Sequence, residues 1–102
     1  PIFSKAKRWN DPASPYHDHV HRLLLFYQKQ MATAAQPADA ARVIYEAATS
    51  STPRLRWTVG EDARLMVAGR QRTSDEDYVA GGRAMPDEQY LDEMRKRYGF
   101  TW

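Results

Sequence analysis

The chain has 102 residues, no cysteine, 42% hydrophobic and 12% aromatic residues, which fits one small globular unit and excludes a disulfide scaffold, a thiolate metal site and a cysteine nucleophile. Lys+Arg 15 against Asp+Glu 13 leaves a formal net charge of +2, and the bases are interleaved with acids, as in Asp92-Glu93-Met94-Arg95-Lys96-Arg97, so neither a nucleic-acid footprint nor an anionic-surface patch is expected. The longest strongly apolar run, Leu23-Leu24-Leu25-Phe26-Tyr27, is far short of the ~20 residues that span a bilayer.

Residues 1–15 carry Pro1, Pro12 and Pro15 with Asn10, Asp11 and Ser14, the composition of an extended, turn-rich lead-in. The opening PIFSKAKRWN has no apolar core of a secretory signal, and with the lack of cysteine this points to a reducing cytoplasm. A helix is expected over 16–33. Val20, Leu23, Leu24, Tyr27 and Met31 fall at i, i+3, i+4, i+7 and i+11 on one face. Leu25 and Phe26 lie off that face, so the helix is expected to be sandwiched or to cover a pocket. His17, His19 and His21 open it. His17 and His21 share a face at the i, i+4 spacing used by zinc ligands, but Asp18 lies on another face, and a polar helix start is the preferred reading.

A second helix starts at Pro37, whose missing N–H is no loss at the first helical position. Ala40, Val43, Ile44 and Ala47 form a stripe that allows close approach, and Ser50-Ser51-Thr52-Pro53 ends it. Arg54-Leu55-Arg56-Trp57-Thr58-Val59 alternates polar and apolar and predicts a strand with Leu55, Trp57 and Val59 facing a core. A lone strand leaves its own N–H and C=O groups unpaired. It therefore adds to a sheet lying elsewhere, pairs with its own copy across a dimer axis, or is not a strand. A third helix is expected over 61–71. Thr73-Ser74-Asp75-Glu76 has the capping-box pattern for a short helix ending near Ala80. Pro86-Asp87-Glu88 opens the last helix, Gly99 is its natural cap, and Phe100 and Trp102 remain as an aromatic tail. The expected fold is mostly α with one or two short strands.

Five stretches carry a resemblance. Pro37, Ala40-Ala41, Ile44 and Ala47, followed by Pro53, Arg56, Gly60 and Asp62-Ala63, resemble in order and spacing the closing helix, strand and turn of the short-chain dehydrogenase/reductase family. Pro1-Ile2-Phe3 resembles the segment after that family's last catalytic strand. Arg72 to Glu76 and Arg97 to Trp102 resemble its tail. The resemblance implies the C-terminal part of a Rossmann-type α/β domain: a lead-in over 1–15, a substrate-lid helix over 16–33, a last helix plus edge strand over 37–59, and a helical tail over 60–102. Ile2, Phe3, Trp9 and Phe26 become lid candidates. Ile44, Tyr45, Leu55, Trp57 and Val59 become subunit-interface candidates.

The family's Gly-rich cofactor turn, catalytic Ser and Tyr-x-x-x-Lys pair have no counterpart. None of Tyr16, Tyr27, Tyr45, Tyr78, Tyr90 and Tyr98 has Lys four residues later, and no G-x-G-x-x-G occurs. No catalytic residue, metal or cofactor is therefore assigned to the chain, and NAD or NADP is expected only for a complete parent oxidoreductase. The expected partners are a second copy, giving a dimer across 37–59, or a missing Rossmann portion. Two other readings stay open: a stand-alone small helical binding protein using the histidines or the aromatic lead-in, and half of a split oxidoreductase.

Overall fold

The computed structural model describes Lys5 and residues 11–102. Among the described residues the chain is helical and contains no strand. The helices run α1 His17–Met31, α2 Pro37–Thr49, α3 Glu61–Arg72, α4 Asp75–Ala80 and α5 Asp87–Tyr98. None is long and apolar enough to cross a membrane.

Local chemistry sets these boundaries. Pro37 occupies the first turn of α2, and the Gln36 backbone N–H donates to Asp39 Oδ2 at 3.0 Å. Gly60 precedes α3 at φ 87°, a left-handed value that L side chains avoid. Gly99 closes α5 at φ 78°, its N–H donating to the Arg95 carbonyl at 2.7 Å. Acids sit in the first turns of α3, α4 and α5, and bases in the last turns of α3 and α5, each complementing the helix dipole. The cap of α4 is one residue later than the capping-box pattern suggests. Ser74 Oγ accepts from the Asp77 N–H at 3.0 Å, while Thr73 Oγ1 turns back to donate to the Gly69 carbonyl at 2.8 Å.

The core is small and aromatic. Phe26 of α1, Met94 and Tyr98 of α5, and Phe100 are buried, with Leu65, Tyr90 and Trp102 packed around them. Phe100 is the hub. Its ring lies 5.7 Å from Phe26, 5.6 Å from Tyr98 and 5.1 Å from Trp102, the last pair stacked. Each such pair adds about 0.5–1.5 kcal/mol beyond area burial. The residues after α5 thus form the keystone between α1, α3 and α5 rather than a free tail. Gly69 of α3 lies under the Tyr98 ring, where any Cβ would clash, and this close approach joins α3 to α5.

Helix α1 turns a different face inward from the apolar one. Its buried residues are Arg22, Phe26 and Gln30, at i, i+4 and i+8. Leu23 and Tyr27 stay about half exposed and Met31 is 61% exposed. Phe26 decides the rotation: once it packs on Phe100 and Met94, helical geometry carries Arg22 and Gln30 in with it. An apolar strip on α1 is left outside.

The strand expected over residues 54–59 does not form. The stretch is irregular and folds onto itself: Arg54 Nε donates to the Arg56 carbonyl and Trp57 Nε1 to the Arg54 carbonyl, both at 3.0 Å, with the Arg54 guanidinium 4.5 Å from the Trp57 ring centre. Without a neighbouring strand, local hydrogen bonds and a cation–π contact take over. Leu55, expected to face a core, is 86% exposed, whereas Trp57 and Val59 are half-buried. Helix α2 also buries none of its residues. The radius of gyration of 16.4 Å exceeds the ~13 Å of a compact domain of about 100 residues, as expected when one segment stands off the core.

Candidate functional site

Two surfaces stand out. The first is an open cleft of about 380 Å³ between α1, the α4–α5 connection and α5. Leu23, Phe26, Met66 and Met94 supply apolar wall, and Arg22, Arg97, Tyr78 and Tyr90 supply polar groups. Arg22 is only 5% exposed. Its Nη1 donates to the carbonyls of Arg83 at 3.0 Å and Met85 at 3.5 Å, tying the α4–α5 connection to α1. Its Nη2 meets His19 Nδ1 at 3.0 Å. Since arginine has no acceptor, that nitrogen accepts and the His19 proton lies on Nε2.

Arg97 enters the cleft from α5. Its Nη2 donates to the Asp77 carbonyl at 3.3 Å, and its guanidinium rests on Gly81 and 5.9 Å from the Tyr78 ring centre. A Cβ at Gly81 would meet the Arg97 guanidinium, a side-chain tip that can move aside. Tyr90 lies between the two cations. Burial pushes its phenol above the ordinary value, opposed by the Arg22 and Arg97 charges. Among the described residues neither arginine has an ion pair, and no carboxylate lines the cleft. Four arginines elsewhere are ion-paired, Arg42 with Glu46, Arg64 with Glu61, Arg70 with Asp75 and Arg83 with Glu93, whereas Arg54 and Arg95 donate to backbone carbonyls.

The second surface is the exposed apolar side of segment 35–59. Ile44 and Tyr45 are 67% and 70% exposed on α2, and Leu55 projects from the following stretch. Its base is pinched: a Cβ on Gly60 would lie 3.1 Å from Ala35 Cβ.

Of the residues singled out in the sequence, Ile2, Phe3 and Trp9 lie outside the described residues. Phe26 is buried and borders the cleft. Ile44, Tyr45 and Leu55 lie in the exposed segment, with Trp57 and Val59 partly covered by it. His21 Nε2 pairs with Asp87 Oδ2 at 2.9 Å, joining α1 to the start of α5. His17 keeps a buried Nδ1 without a partner among the described residues, which hold no group of three side chains able to bind a metal. Sequence reasoning missed Arg22, Arg97 and Gln30. Their only signal was polarity at positions that Phe26 draws inward. The Gln30 side-chain amide and Trp102 Nε1 are buried without hydrogen-bond partners among the described residues, beside a smaller recess of about 200 Å³.

The fold and its surfaces thus define a helical unit with a small aromatic core, a cationic cleft and one exposed apolar surface. Compared with family models, curated proteins and solved structures, the chain has no significant match.

Proposed function

We propose that the chain is a non-catalytic C-terminal segment of the short-chain dehydrogenase/reductase type. In this reading it completes the substrate pocket and subunit contact of a cytoplasmic NAD(P)-dependent oxidoreductase. The observation that carries this reading is a coincidence of position. Residues 36–48 and 53–63, which resemble the family's last helix and edge strand, include three large apolar side chains left strongly exposed, Ile44, Tyr45 and Leu55. Helix α2 buries no residue fully: Ala40, Val43 and Ala47 of its apolar stripe are half-buried and Ile44 is exposed. A helix of this length is marginal alone in water, so a cover is required, and the occupant implied is the parallel sheet of a Rossmann-type portion. An edge strand deprived of its sheet has nowhere to place its ladder hydrogen bonds, in keeping with the local hook at Arg54–Trp57. The exposed strip of Leu23 and Met31 on α1 suits a lid that closes over an apolar substrate.

Hydrogen exchange on the monomeric chain tests this reading. Amides of Val43 to Ala48 are expected to exchange far faster than those of Met94 to Tyr98, and added NADH is expected to keep its free fluorescence. Protection of α2 in the monomer equal to that of α5, or tight NADH binding, overturns it.

A further inference from the structure

We propose that the cleft between α1 and α5 is a binding site for an organic carboxylate with an apolar body, its charge held by Arg22 and Arg97. The charge balance of the cleft leads to this. Two guanidiniums border it, one of them nine-tenths buried, with no carboxylate among the described residues to neutralise either. A buried cation keeps its charge at a cost in desolvation, which backbone carbonyls offset only in part. An entering anion would complete the neutralisation, with charge-assisted hydrogen bonds to N–H groups not already spent on Arg83, Met85, His19 and Asp77. The Tyr90 phenol, which lines the same space, adds a hydroxyl donor.

The rest of the wall sets the ligand class. Leu23, Phe26, Met66 and Met94 offer apolar area with two flexible thioethers. A volume of about 380 Å³ falls in the range of small-molecule sites, roughly 300–1,000 Å³. Inorganic phosphate would meet the cations and leave the apolar wall wet. A neutral apolar molecule would bury that wall and leave the cations unpaired. A medium-chain carboxylate does both.

Isothermal titration of the whole chain with octanoate, octan-1-ol and inorganic phosphate tests the proposal, with amide chemical shifts locating the site. Octanoate is expected to shift resonances of Leu23, Gly81 and Gly82 and to bind about tenfold or more tightly than either comparison compound, the scale of one charge-assisted hydrogen bond. Arg97→Gln is expected to remove that advantage while octanol binding stays, and Arg42→Gln, on α2, to change nothing. A second readout needs no variant: raising salt from about 0.05 to about 0.5 M is expected to weaken octanoate and leave octanol unchanged. Octanoate failing to bind, octanol or phosphate matching it, salt-independent octanoate binding, or shifts confined to other residues each overturns the proposal.

Discussion

Gly69 and Tyr98 meet so closely that the tyrosine ring fills the place of a side chain on α3. A Cβ at Gly69 would clash with the ring and stand 2.7 Å from the Arg97 carbonyl oxygen. Two effects of Gly69→Ala oppose each other. Alanine gains up to ~1 kcal/mol of helix propensity, whereas overpacking against backbone costs ~1–3 kcal/mol. Backbone cannot swing aside as a side-chain tip can, so the variant is expected to be less stable by about 1–2 kcal/mol, measured by urea denaturation followed by circular dichroism.

Phe100→Ala removes the hub of four aromatic rings. Truncating a buried Phe costs ~3–5 kcal/mol, against the few kcal/mol that a core this size supplies. The variant is expected to be largely unfolded at room temperature, with loss of the near-ultraviolet dichroism of the ring cluster. Phe100→Leu, which keeps most of the volume, is expected to fold with a lowered Tm.

Ile44 and Leu55 contribute almost nothing to the folded monomer, because both point away from it. The double variant Ile44→Glu, Leu55→Glu is expected to change stability by less than about 0.5 kcal/mol. Light scattering is expected to show concentration-dependent self-association of the parent chain and none of the variant. Equal association of both would place the contact elsewhere.

Tyr90 links stability to alkaline pH. Burial raises its phenol in the folded state, so the folded chain holds the proton more tightly than the unfolded chain does. The stabilising contribution is therefore complete below the ordinary phenol value of about 10 and is lost as pH rises through it into the raised folded value. Melting curves over that window are expected to show a steeper fall for the parent than for Tyr90→Phe, with the two nearly parallel at neutral pH.

The helices were legible because their ends carry strong local signals. Pro37, the Gly60 turn, the Ser74 region, Pro86 and Gly99 each act within a few residues, and the structure keeps all five elements within a residue or two of expectation. The inward face of α1 was not legible. Val20, Leu23, Tyr27 and Met31 make the better apolar stripe, but Phe26 has the ring that fits against Phe100, and rotating the helix for it buries Arg22 and Gln30. Only long-range packing decides such a choice. The Arg54–Val59 alternation was misleading for a related reason: a pleated pattern specifies a strand only when a neighbour supplies the ladder. The cationic cleft had no sequence pattern, since its two arginines lie on different helices.

The pinch between Ala35 and Gly60 makes residues 36–59 an excursion that leaves the bundle and returns to its starting point. Its excision would shorten the chain without separating any of the four rings at the centre. A deletion joining Ala35 to Gly60 through a short glycine linker should retain the near-ultraviolet signature of the parent. The core would then be a scaffold carrying a detachable arm, free to evolve new docking partners at little cost to its own folding.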